Sequence, residues 1–131
     1  MMHNTPPTWS TYVTGLICAH LIEQGGIAEM ERLSELKAKL FYEYIDSTDG
    51  FYFNDVDVRF RSRVSVPFRV CQDAEMEKKF AQDAHAAGLI ELAGHALVGA
   101  CRACFYTAMS VEGVRALIDF MERWRRENRG Q

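Results

Sequence analysis

Residues 94–106, GHALVGACRACFY, join a Gly-His step, a small-residue turn at Val98-Gly99-Ala100 and a short apolar segment that carries one arginine, Arg102. The segment Cys101–Thr107 reads as a strand. A guanidinium within it is costly to bury unless an anion meets it, and its planar fork pairs best with carboxylate or phosphate. The ordinary fate of such an arginine is solvent or an internal Asp or Glu.

Working outward from this strand, Leu89–Leu92 is a second short apolar run and reads as another strand. Asp73 is placed to cap a helix whose inward residues are Met76, Phe80, Ala84 and Ala87, closed by Gly88. From Arg63 to Val70 the alternation is strict. Val64, Val66, Phe68 and Val70 fall on one face, and Arg63, Ser65, Pro67 and Arg69 on the other. That is a half-buried strand, and Pro67 moves it toward an edge or a bulge. Phe51-Tyr52-Phe53 is a further short strand, and Asp55 to Arg61 a polar loop.

The N-terminal third is helical. Pro6-Pro7 holds an extended entry and Thr8 is a candidate N-cap. Trp9, Tyr12, Val13, Leu16, Ile17 and Leu21 then recur at helical spacing, and Gly25-Gly26 stops the helix. A second helix carries Ile27, Met30, Leu33, Leu36, Leu40, Phe41, Tyr44 and Ile45 and ends in the turn cluster Asp46–Gly50. Ser110 caps the last helix, with Val114, Leu117, Ile118, Met121 and Trp124 inward. The order α-α-β-β-α-β-β-α describes an α+β fold, a small sheet covered by helices. The division expected is an entry segment and connecting helix over 1–26 and a small α+β domain over 27–131.

At 131 residues the chain can bury about two-thirds of its unfolded surface. A formal charge of −3 lacks the basic excess of a general nucleic-acid binder. No apolar run approaches the ~20 residues that span a bilayer. MMHNTPPTWS has no basic region followed by a hydrophobic core, so it does not read as a signal peptide. Cys18, Cys71, Cys101 and Cys104 are most simply buried thiols of a reducing compartment, which places the chain in the cytoplasm. In an extended segment Cys101 and Cys104 face opposite ways and cannot share a metal. Lys37, Lys39, Lys78 and Lys79 lie on helices with polar neighbours, as solvated residues would. The basic C-terminus, Arg123 to Arg129, suits a helix end.

A second stretch, Asn4-Thr5-Pro6-Pro7-Thr8 before an apolar helix, adds to GHALVGACRACFYTAMSVEGV. Together, and with Arg61-Ser62-Arg63 leading to Val66-Pro67-Phe68 and the terminal Val114–Trp124 helix, these resemble the C-terminal part of phosphoserine aminotransferase. That is a pyridoxal 5'-phosphate (PLP) enzyme of the fold-type I aminotransferases. The resemblance implies amino transfer between phosphoserine and 2-oxoglutarate in serine biosynthesis, with the chain supplying the small domain and the helix that connects it to a large one. It implies that Asn4 and Thr5 reach the PLP phosphate of a neighbouring subunit. It also implies that Arg102 pairs with the substrate α-carboxylate, and that His95 reaches the distal phosphate or carboxylate across a homodimer interface.

In the family the large domain supplies the Schiff-base lysine, the aspartate facing the pyridinium nitrogen and the ring stacked on the cofactor. None has a counterpart here, so this chain alone should be inactive and should act with a large PLP-binding domain or a full-length subunit. The main departure is Ala96, where the family has an arginine after the histidine. Loss of a charge-assisted hydrogen bond of about 1.5–3 kcal/mol weakens phosphoserine binding roughly tenfold or more. Ala100 for a usual glycine, Thr107 for a usual asparagine and His3 for an apolar residue are smaller departures. The alternative is a non-catalytic ligand-binding or dimerisation module derived from the same domain.

Overall fold

The computed structural model describes residues 3–95 and 99–129, with His95 described through its backbone alone. In chain order the elements are α1 (Thr8–Glu23), α2 (Gly26–Asp46), β1 (Tyr52–Phe53), a 3-10 turn (Val58–Phe60), β2 (Ser65–Val70), α3 (Ala74–Ala86), β3 (Ala93–His95), β4 (Gly99–Cys104) and α4 (Val111–Asn128). This is the order the residue pattern implies, with the 3-10 turn added inside the polar 55–61 segment. Internal contacts divide the chain into two units, Met1–Leu33 and Ser34–Gln131, so that the division falls inside α2.

In the first unit, α1 begins at Thr8, with Pro7 rather than Thr8 in the cap position and no side-chain cap. Proline suits a helix start because its missing N–H is one the first turn leaves unpaired anyway. Trp9, Tyr12, Leu16, Ile17 and Ile22 of this helix are all exposed, and Trp9 retains 75% of its surface. No residue of α1 is buried. The apolar spacing does form a helix, but not one with an inward stripe. Gly25 (φ 104°) and Gly26 (φ 70°) make the turn into α2 in a region that disfavours any residue with a Cβ.

In the second unit the strands form one antiparallel sheet in the order β1-β2-β4-β3. On β2, Val66, Phe68 and Val70 are buried, whereas Val64 precedes the strand and stays 39% exposed. On β4, Cys101 and Ala103 are buried, and Phe105 continues that face beyond the strand. Residues Phe41 and Ile45 of α2, Phe80 and Ala84 of α3, and Val114, Met121 and Trp124 of α4 complete the core. Phe80 meets Tyr52, Phe68, Phe120 and Trp124 edge-on at 5.2–5.8 Å. Edge-to-face pairs of this kind add about 0.5–1.5 kcal/mol beyond area burial. The Tyr52 hydroxyl, inside the core, donates to the Met121 carbonyl (3.0 Å), which meets its need for a partner.

Side-chain caps set two helix starts. The Asp73 carboxylate accepts from the Glu75 and Met76 amides, and Ser110 Oγ accepts from the Gly113 amide. Each such cap contributes about 1 kcal/mol. On α3 the inward residues are Phe80 and Ala84 with Met76 half-buried, but Ala87 is exposed and Glu77 is buried in its stead.

The strand expected at Leu89–Leu92 is not formed. Glu91 adopts φ 60°, a left-handed conformation outside the extended region, and pairing starts only at Ala93. Gly94 then allows the β3–β4 approach, since a Cβ there would overlap the Gly99 and Ala100 carbonyl oxygens. Ala100 itself sits at φ 64°.

A candidate carboxylate-binding site

Arg102 lies mid-strand on β4, opposite Pro67 of β2. Its neighbours Cys101 and Ala103 point into the core, so alternation turns the Arg102 side chain outward. Its amide donates to the Leu92 carbonyl (2.9 Å), which fixes the backbone without engaging the guanidinium. Among the described residues, no carboxylate pairs with that guanidinium, and the side chain is exposed. It borders a cavity of about 470 Å³ whose walls include Leu89, Ile90, Tyr106, Met109 and Gly113. Glu91 is the acidic residue on this wall, and it makes no ion pair with Arg102. An unengaged guanidinium beside a largely apolar pocket is suited to a small organic anion with a carboxylate.

Several other arginines of this unit are engaged, although the exposed Arg115 and Arg123, like Arg102, make no ion pair among the described residues. Arg61 forks onto Asp46 at 2.7 and 2.9 Å and lies over the Tyr42 ring, 4.6 Å from its centroid. Arg125 and Arg126 both pair with Glu122, so part of the basic C-terminus is tied down rather than solvated. The fork onto Glu122 holds its carboxyl below the usual range, through Arg126 above all. Arg69 spans Asp55 and the buried Glu77, whose carboxylate also accepts the Ala100 amide (3.1 Å). Glu77 thereby braces the strand that carries Arg102.

His95 pairs through its backbone with Gly99 in the β3–β4 hairpin. Its side chain, and Ala96, lie outside the described residues. Asn4 and Thr5 belong to the first unit and precede α1 on an exposed, non-helical segment. Their amide and hydroxyl find no hydrogen-bond partner among the described residues, so both are available as phosphate donors.

Two expectations are corrected. Lys37 is not solvated: it retains 2% of its surface, and its ammonium donates to the carbonyls of Tyr106 (2.8 Å), Met109 (2.9 Å) and Phe105 (3.4 Å). Burial pulls Lys37 below the ordinary lysine range, while three carbonyl acceptors favour its charged form. The signal was present, because Lys37 falls four residues after Leu33 and four before Phe41, on the apolar face of α2. The cysteines are not uniformly buried either. Cys18 and Cys71 are exposed, Cys104 is half-buried, and only Cys101 is fully inside, where burial pushes its thiol up to about 12 with the Glu77 carboxylate adding to the shift. Cys101 and Cys104 do fall on opposite faces of β4.

Among the described residues no helix is long and apolar enough to cross a membrane, and no group of three or more His, Cys, Asp or Glu is placed to hold a metal. The family model described as aminotransferase class-V matches residues 1–117. A phosphoserine aminotransferase of Janthinobacterium sp. (strain Marseille) is 49% identical over 121 residues, covering 92% of this chain and 33% of that protein. One from Herminiimonas arsenicoxydans is 47% identical over 126 residues, covering 96% and 34%. Among solved structures, phosphoserine aminotransferase from Bacillus circulans subsp. alkalophilus superposes with a TM-score of 0.91 at 36% identity, over 95% of this chain and 34% of that one. A PLP-bound phosphoserine aminotransferase from Trichomonas vaginalis gives 0.84 at 36% identity, over 92% and 34%. The chain thus spans about a third of the length of the relatives it matches.

Proposed function

This chain belongs to the class-V aminotransferase family, and from that premise we propose that it forms the C-terminal, carboxylate-binding third of a phosphoserine aminotransferase. The observation that carries the proposal is Arg102, whose guanidinium is unpaired among the described residues and which borders a cavity large enough for an amino-acid guest. In this reading Arg102 takes the substrate α-carboxylate through a two-point fork, which fixes how the Cα–H bond is presented. His95 reaches the distal acid group. Residues 1–26 serve as the connecting segment and 27–131 as the small domain.

The donor chemistry of Asn4 and Thr5 fits a phosphate, so these two would hold the phosphate of PLP contributed with a second subunit. When bound, PLP supplies an electron sink for the substrate Cα. This chain's part is to bind, orient and exclude water. Three of its lysines are committed elsewhere: Lys37 to backbone carbonyls, Lys39 to Glu43 and Lys79 to Asn128. No lysine lines the Arg102 cavity among the described residues. Lys78 lines a separate cavity, and in this reading the amine that grips PLP comes from a large domain outside these residues. The exposed apolar residues of α1 support such a partner, since Trp9, Tyr12, Leu16 and Ile17 are large side chains left in water.

The test is reconstitution. Mixing the chain with a lysine-bearing large domain should restore PLP absorbance and amino transfer from phosphoserine to 2-oxoglutarate, and Arg102→Ala should remove the transfer. Transfer that survives Arg102→Ala, or none from the wild-type pair, overturns the assignment. Ala96 favours a second reading, a non-catalytic anion-binding module. In that case the isolated chain binds a small dicarboxylate by calorimetry while the reconstituted pair stays inactive.

A further inference from the structure

We propose that Lys37 is a positioning residue for the Arg102 cavity, holding the 105–109 segment so that Tyr106 and Met109 keep their place in the lining of that cavity; the inference rests on the function proposed above. The segment leaves β4 after Cys104 and turns into α4 at Ser110. Within it, the Met109 amide donates to the Tyr106 carbonyl (2.9 Å) and the Phe105 amide to the Val64 carbonyl (2.7 Å). The carbonyls of Phe105, Tyr106 and Met109 also converge on one ammonium delivered from α2. A group with three donors and no acceptor is well matched to a cluster of carbonyls, and a neutral side chain of the same length is not. The anchor has a firm base, because Phe41, one turn along α2, stacks edge-on against Phe105 at 5.0 Å.

Met109 is constrained from its other side as well. A Cβ at Gly113 of α4 would come within 2.6 Å of Met109 Sδ, so glycine there lets the thioether seat against the helix. Lys37 thus holds the Met109 carbonyl while Gly113 gives room to its side chain. Tyr106 and Met109 both line the cavity that Arg102 borders, and Lys37 does not. It acts on the pocket through the backbone it gathers.

Two variants separate positioning from mere support. Lys37→Met removes the ammonium. Gly113→Ala displaces Met109 without touching Lys37. Hydrogen exchange of the 105–110 amides, measured on the chain itself, should accelerate at least tenfold in Lys37→Met and less in Lys37→Arg. In the reconstituted enzyme both Lys37→Met and Gly113→Ala should raise the KM for phosphoserine about tenfold, with kcat changed less than about threefold, as a misplaced pocket wall would. Lys37→Arg should recover part of the loss. Unchanged exchange in Lys37→Met overturns the proposal without reference to activity. So does an unchanged KM in both variants when Arg102→Ala still removes transfer, an outcome that leaves the function standing. If Lys37→Met does not fold, Lys37→Gln takes its place, and unchanged exchange of these amides in that variant overturns the proposal. A wild-type pair that transfers nothing sinks the function and this inference with it.

Discussion

Replacing Arg102 by lysine keeps the charge and removes the fork, so it isolates what the planar guanidinium adds. Arg102 is exposed, and its side chain supports nothing inside the chain among the described residues. The β4 backbone at this position is held by its own amide bond to Leu92, which the substitution leaves intact. Folding stability should therefore change by no more than about 0.5 kcal/mol, the range of ordinary surface substitutions. Binding is another matter. Two parallel charge-assisted hydrogen bonds become one, a loss of about 1.5–3 kcal/mol. At 1.4 kcal/mol per decade, the KM for phosphoserine rises about 10- to 150-fold. Urea unfolding of the isolated chain and steady-state kinetics of the reconstituted pair measure the two halves separately. An Arg102→Lys chain destabilised by more than about 2 kcal/mol, well beyond the surface range, would mean the guanidinium is an internal strut. An unchanged KM would mean no carboxylate meets it. Either result refutes the reasoning. Arg61→Ala is the internal contrast: that side chain is forked onto Asp46 and stacked on Tyr42, so its removal should lower stability by about 1–2 kcal/mol.

Further outcomes follow from the core and the thiols. Phe80→Ala strips a fully buried ring from four aromatic neighbours and should cost about 3–5 kcal/mol by denaturant unfolding, enough to unfold much of a marginal domain. Asp73→Ala should cost about 1 kcal/mol through loss of the α3 cap, with Asp73→Asn recovering most of it. A maleimide at pH 8 should label the exposed Cys18 and Cys71 of the native chain and spare Cys101 until it unfolds. Because Cys101 is held up near 12 when folded, against an unfolded value close to 9, the folded state keeps a proton that the unfolded state loses. Its contribution is complete below pH 9 and falls by about 1.4 kcal/mol per pH unit up to 12. Cys101→Ala should reduce the slope between pH 9 and 10, below the range where the Tyr44 and Tyr52 hydroxyls, also raised by burial, add a slope of the same sign. An equally steep slope in that window would discard the assignment.

Much of the architecture was legible because local signals agreed. Asp73 and Ser110 stand where they cap α3 and α4, and the alternation Val66-Phe68-Val70 does bury one face of β2. Failures came where a residue type misstated its environment. Leu89–Leu92 looks extended by composition, but the left-handed backbone at Glu91 interrupts it, and nothing in the side-chain pattern encodes that turn. Lysine suggested solvent at position 37, whereas its place on the α2 stripe indicated burial. The site was legible in part. Arg102 stood out as a charge in an apolar strand, and its outward direction followed from alternation with Cys101 and Ala103. That its guanidinium has no acidic partner among the described residues depends on which carboxylates the fold brings near, which sequence spacing does not reveal.

Ala100 carries a methyl group at φ 64°, a conformation that glycine adopts freely and alanine resists by roughly 1 kcal/mol. Glu77 meets its amide and keeps the backbone there in spite of that resistance. The hairpin is consequently loaded like a bent leaf with a catch at its root. Ala100→Gly would slacken it, and Glu77→Gln would weaken the catch. Ala100 and Glu77, neither of which lines the Arg102 cavity, thus hold the start of the strand that carries Arg102.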